Sequence, residues 1–225
     1  MKRKIIFLKG IKDNMDKKEL VSRCAEMFER YYDRLSGKND SHRVYSLDTE
    51  DMELWKTVYF VELQKYPDIC DADFFRPADQ DKHPEYGVGT DGEFVLYEYC
   101  NIRYQLYRCM VLEQLKVMGM TSLPMGQMGE IEELLKILES YVPQFMHKGT
   151  RDSQLVGFCD EHKKIWDKFY ALNRNEELIP DGSFFGNIQS NPNCGIGKDG
   201  SFFGVELLHF LGNCYKIISQ ALGLL

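Results

Sequence analysis

The chain has 225 residues, 44% hydrophobic and 28% charged, which fits an ordinary globular composition, and no low-complexity stretch argues for long disorder. Its formal charge of -7 is uneven: five bases and one acid give residues 1–14 a charge of +4, so the remainder carries -11. A body this acidic excludes sequence-independent nucleic-acid binding, which needs Lys and Arg against phosphates, and it suits a basic protein partner.

At the start, the apolar run Ile5-Ile6-Phe7-Leu8 is shorter than the roughly 7–15 residues of a signal-peptide core, so residues 1–14 read either as a disordered basic segment or as an edge strand over 4–8. No stretch approaches the roughly 20 apolar residues of a spanning helix, and a membrane is not expected. Seven cysteines, Cys24, Cys70, Cys100, Cys109, Cys159, Cys194 and Cys214, make an odd set without CxxC, which predicts reduced thiols in the cytoplasm.

Residues 15–225 read as one mainly helical, all-α domain with six helices, taken from 3.6-residue periodicity. The first covers 17–35, with Leu20, Cys24, Met27, Phe28 and Tyr31 on one face. The second covers 48–66, with Met52, Trp55, Tyr59 and Leu63, capped by Asp48 or Thr49 and ended by Pro67. A long loop, 67–93, leads to an aromatic-rich third helix over 94–118. After a glycine- and proline-containing joint at 119–129, the fourth helix covers 130–142 and should stop at Pro143. The fifth covers 153–172, with Leu155, Phe158, His162, Ile165, Trp166 and Phe169 inward. A second long loop, 173–204, precedes the sixth helix at 205–222.

The two long loops resemble each other. The first region reads Trp55-x3-Tyr59, Asp71-Ala-Asp73-Phe74-Phe75, then Gly87-Val-Gly89-Thr-Asp91-Gly92-Glu-Phe94. The second reads Trp166-x3-Tyr170, Asp181-Gly182-Ser183-Phe184-Phe185, then Gly195-Ile-Gly197-Lys-Asp199-Gly200-Ser-Phe202. Beyond them Glu98 aligns with Glu206, Tyr107 with Tyr215 and Arg108 with Lys216. Five ordered blocks at nearly equal spacing predict an internal duplication: two repeats, 15–118 and 127–225, of about three helices each, packed about a pseudo-two-fold axis on a shared core.

Turn and cap chemistry accounts for the repeated residue types. Glycines supply tight turns, and an acid before a helix meets its open N–H groups. Asp91, Glu98, Asp199 and Glu206 have part of a calcium-loop spacing, yet the positions that should supply the first carboxylates are Gly87, Gly89, Gly195 and Gly197, so a calcium loop is not expected. GxGxxG lacks the preceding strand of a nucleotide fingerprint. Asp79, Asp81, His83 and Glu85 read as a solvated loop, because the other copy has Gln189, Asn191 and Asn193. Cys159 and His162, three apart, read as packed groups on the apolar side of the fifth helix instead of a catalytic pair.

The residues expected to bind are therefore Phe74, Phe75, Asp91, Glu98, Phe184, Phe185, Asp199 and Glu206, with no catalytic set, metal or cofactor. The expected function is a protein-binding module, of inhibitor or immunity type, facing a basic partner. The alternative is a small-molecule or metal site between the repeats, with hydrolytic chemistry.

Overall fold

The computed structural model describes residues 17–35, 44–57, 92–124, 127–145, 155–174, 196 and 198–225. The chain is mainly helical there, with six helices and two two-stranded sheets among the described residues. In chain order they are α1 (Lys17–Leu35), β1 (Tyr45–Ser46), α2 (Thr49–Thr57), β2 (Glu93–Phe94), α3 (Leu96–Val117), α4 (Gln127–Phe145), β3 (Val156–Gly157), α5 (Asp160–Arg174), β4 (Ser201–Phe202) and α6 (Gly204–Ala221). The edge strand considered at 4–8, the end of the second expected helix and most of both long loops lie outside the described residues.

α1 has the bounds that its apolar spacing predicts, and it buries Leu20, Cys24, Met27, Phe28 and Tyr31. α3 and α6 pack along each other at the centre. α1 lies on α3, and α4 lies on α6. At the α3–α6 crossing a Cβ on Gly212 would sit 3.1 Å from Arg103 Nη1 and 3.5 Å from the Tyr104 amide nitrogen. The missing side chain is what lets the two backbones come this close.

Each sheet ties a helix entry to the start of a long helix. β1 and β2 run antiparallel, with Tyr45 opposite Phe94 and Ser46 opposite Glu93. β3 and β4 do the same, with Val156 opposite Phe202 and Gly157 opposite Ser201. One further amide extends each ladder: Leu47 donates to the Gly92 carbonyl at 3.0 Å and Phe158 to the Gly200 carbonyl at 3.1 Å. Gly92 and Gly200 have φ of +72° and +76°, where an L side chain is strained. Space is short there as well, since a Cβ on Gly200 would lie 2.7 Å from Lys163 Cδ and 2.9 Å from Phe158 Cδ2.

The sheets close over aromatic clusters. The Phe28 ring meets Trp55 edge-on at 5.7 Å, and Phe94 lies 6.4 Å from Phe28 and 5.8 Å from Tyr31. In the other cluster Phe158 lies 5.0 Å from Phe202 and 5.6 Å from Trp166, which meets Phe210 at 5.5 Å. Both tryptophans are buried, and each such ring removes a large apolar area from water.

Several helix boundaries differ from the expected ones: α3 starts at Leu96 instead of 94, α4 at Gln127 instead of 130, and two further differences have a clear physical reason. The fifth helix starts at Asp160, not at 153, because the backbone of Val156, Gly157 and Phe158 is committed to β4 and its turn. The apolar spacing of Leu155 and Phe158 therefore belongs to an extended segment, and Leu155 is exposed. α4 runs past Pro143 to Phe145. The proline removes one hydrogen bond of the last turn. Phe145 is nonetheless fully buried against Phe202, and its carbonyl accepts from the Tyr97 hydroxyl at 3.2 Å. That packing and the external cap hold the final turn in place.

Candidate functional site

Two partly buried polar centres flank the α3–α6 crossing. The first is built on Glu29 of α1. Its Oε2 accepts from Arg103 Nε at 3.0 Å and from the Tyr107 hydroxyl at 2.7 Å. Its Oε1 accepts from Arg103 Nη2 at 3.3 Å and from Lys216 Nζ at 2.6 Å. Burial alone would raise this carboxyl, but Arg103, Lys216 and Tyr107 outweigh it and hold Glu29 at about 2. Arg103 is itself 3% exposed and passes over the rings of Tyr32 and Tyr107 at 4.9 and 5.4 Å. Its Nη1 donates to Asn213 Oδ1 at 2.6 Å.

Asn213 Nδ2 meets His209 Nε2 at 3.0 Å, and the His209 ring stacks on Tyr32 at 5.8 Å. Burial, and then the Arg103 charge, push His209 down to about 4, so it is neutral at pH 7. A buried guanidinium with a full set of partners is what low-dielectric surroundings demand.

The second centre is built on Glu139 of α4. Its Oε1 accepts from the Tyr104 hydroxyl at 2.9 Å, Arg108 Nε at 2.8 Å and the Tyr215 hydroxyl at 2.8 Å. Tyr107, Tyr215, Arg108 and Lys216, which the sequence alignment pairs, thus all enter these centres. Neither Glu29 nor Glu139 is among the residues expected from sequence. The signal was present: α1 carries Glu29-Arg-Tyr31 and α4 carries Glu139-Ser-Tyr141.

Those two tyrosines form a second pair of contacts. The Tyr31 hydroxyl accepts from the Asp48 amide at 2.6 Å and donates to Asp51 at 2.8 Å, and Asp51 also pairs with Arg30. The Tyr141 hydroxyl accepts from the Cys159 amide at 3.2 Å and shares a hydrogen bond with His162 Nδ1 at 2.8 Å.

Cys159 is exposed, just ahead of α5, and not on a buried helix face as its spacing suggested. The His162 amide, followed by the Tyr141 hydroxyl and the Glu161 amide, lowers its thiol below the ordinary range. Burial pushes Cys24 and Cys100 up to about 12. None of the five described cysteines is in a disulfide.

Of the residues expected to bind, Phe74, Phe75, Asp91, Phe184 and Phe185 lie outside the described residues, as do Asp79, Asp81, His83 and Glu85. Glu98 and Glu206 are both buried in the first turn of a long helix. Glu98 Oε2 accepts the Val95 amide at 2.9 Å, and Glu206 Oε2 accepts the Phe203 amide at 2.8 Å. Each supplies the acidic half of a capping box, satisfying an amide that the helix leaves open. Asp199 is exposed and accepts the Ser201 amide at 3.0 Å, which fixes the turn into β4. Among the described residues no group of three or more His, Cys, Asp or Glu side chains could hold a metal ion. No described helix is long and apolar enough to cross a membrane.

Comparison with known proteins finds no family model that matches the chain, and no curated protein or solved structure with significant similarity to it.

Proposed function

We propose that the chain is a protein-binding module built on an internally duplicated helical scaffold. The halves, 15–118 and 127–225, are read as copies related by a pseudo-two-fold axis near the Tyr104–Gly212 approach. One observation carries this reading. Glu29 takes Tyr107 from its own half and Lys216 from the other, while Glu139 takes Tyr215 from its own half and Arg108 from the other. Exchanging the halves turns these two pairs of contacts into each other, while Arg103 on Glu29 and Tyr104 on Glu139 stand outside the exchange.

The polar groups of the Glu29 and Glu139 centres are engaged by the scaffold itself, which favours a binding role over catalysis there. Function then falls to the exterior, whose net charge of -11 over 15–225, within the total of -7, suits a partner with a basic face. An inhibitor or immunity-type protein, working in a reducing, cytoplasm-like compartment, fits this chemistry.

The test is capture from host lysate followed by titration with the purified partner at low and high salt. The expected result is one basic protein whose affinity falls with salt and falls again in the Asp91→Ala/Asp199→Ala variant. A partner bound equally well at both salt concentrations and by both proteins, or no partner at all, contradicts the proposal.

A further inference from the structure

Glu98 and Glu206 hold the same position, the third residue of a long helix that follows a two-residue strand. They differ in what completes the carboxyl. Glu98 engages more than the Val95 amide. Glu206 is 0% exposed, its Oε2 is met by the Phe203 amide, and its Oε1 has no partner among the described residues. A carboxyl buried with one oxygen unmatched is costly as an anion and far less so as a neutral acid.

Among the described residues the surroundings supply no compensating cation. The described ionisable group whose charge reaches Glu206 is Asp199, in the turn before β4, and it has the same sign. α4 presents Tyr141 to the neighbouring Phe202 ring, and Tyr141 is engaged with His162 of α5. α3 presents Arg103, which is bound to Glu29 and to Asn213, seven residues further along α6. Burial raises the Glu206 carboxyl to about 8. The Phe203 amide opposes that rise and Asp199 adds to it.

We propose that protonation of Glu206 is a latch on the β4–α6 junction, closed by the neutral carboxyl and loosened as the proton is lost. When the junction opens, Glu206 meets water and ionises near the ordinary 4.5, whereas in the closed form it ionises only at about 8. Opening therefore becomes about tenfold easier per pH unit between these values and changes no further above the upper one. The loosened segment includes Asp199 and its turn, so the latch would make the second repeated loop of this acidic module responsive to pH.

The experiment is amide hydrogen exchange on the full chain at about pH 5.5 and about pH 7.5, corrected for the intrinsic chemical rate. Protection of amides 202–207 should fall about a hundredfold in the wild type, and Glu206→Gln should abolish the fall. A pH-independent wild type, or an unchanged slope in the variant, overturns the proposal. A carbon NMR titration of the Glu206 carboxyl in the wild-type chain tests it without any variant. A midpoint well above the usual carboxylate range supports the latch, and one near 4.5 refutes it.

Discussion

At the entry to α2 the Tyr31 hydroxyl joins the Asp48 amide to the Asp51 carboxylate; at the entry to α5 the Tyr141 hydroxyl joins the Cys159 amide to the His162 imidazole. The scaffold contact, a tyrosine accepting the amide just ahead of a helix, is the same in both places. The chemistry around it differs. One entry carries two acids and a guanidinium, Arg30, while the other carries an exposed thiol and an imidazole. Burial first, and then the neighbouring acids, hold the Tyr31 hydroxyl up at about 12. What the two regions have in common is the hydrogen bonding that places helices, and what separates them is the chemistry of the side chains gathered around it.

The comparison can be strained first at the cores. Trp55 is 2% exposed and Trp166 is 0% exposed. Replacing either with Ala should cost about 3–5 kcal/mol, read from denaturant unfolding. If the halves form one core, both variants lower the midpoint of one shared transition. Two separable transitions would break the picture of a common core.

The polar centres should then divide unequally. Glu29→Ala strands Arg103, whose side chain is only 3% exposed, and should cost about 3 kcal/mol. Glu139→Ala strands Arg108, whose side chain is 38% exposed and reaches water, and should cost about 1–2 kcal/mol. Equal losses in the two variants would mean that burial of the guanidinium does not set the difference.

Much of this layout was legible in the chain. Apolar spacing of 3.6 residues located α1 and α6 to within a residue or so, because each buries a continuous stripe. The repeated Gly-x-Phe sequences marked Gly92–Phe94 and Gly200–Phe202 as equivalent, and the positive φ of both glycines explains why that residue type recurs. Strands of two residues have no periodicity to detect, so β1 to β4 were not foreseen, and β3 was absorbed into a helix. Pro143 reads as a stop, and only tertiary contact through Phe145 and Tyr97 reverses that. Glu98 and Glu206 were found, but as candidate ligands, since a sequence does not show that a carboxylate's nearest donor is an amide three residues back.

Acid should sharpen the contrast further. The Glu29 carboxyl is held at about 2 against an ordinary 4.5, so its stabilising contribution is fully present above about pH 4.5 and is lost as pH falls through about 2. Glu29→Gln should flatten the acid limb of a stability–pH curve, and an unchanged limb would remove Glu29 from the account.

The smallest effect on stability is expected at Cys159. With a lowered thiol pKa and full access to solvent, it should alkylate well ahead of Cys24, Cys100 and Cys214, which burial holds in the thiol form. Peptide mapping after brief iodoacetamide treatment of the folded chain gives the order. Cys159→Ser should change the unfolding midpoint little, as an exposed site should.

The crossed contacts between halves are the centre of this account, and a pair of double-mutant cycles tests them directly. One cycle joins Glu29→Gln with Lys216→Met, and the other joins Glu139→Gln with Arg108→Met. Each should return a favourable coupling of about 0.5–3 kcal/mol, because each acid reaches across to the other half for a cation, Glu29 in addition to its own Arg103. Coupling in one cycle and none in the other, or none in either, would contradict the pseudo-two-fold reading.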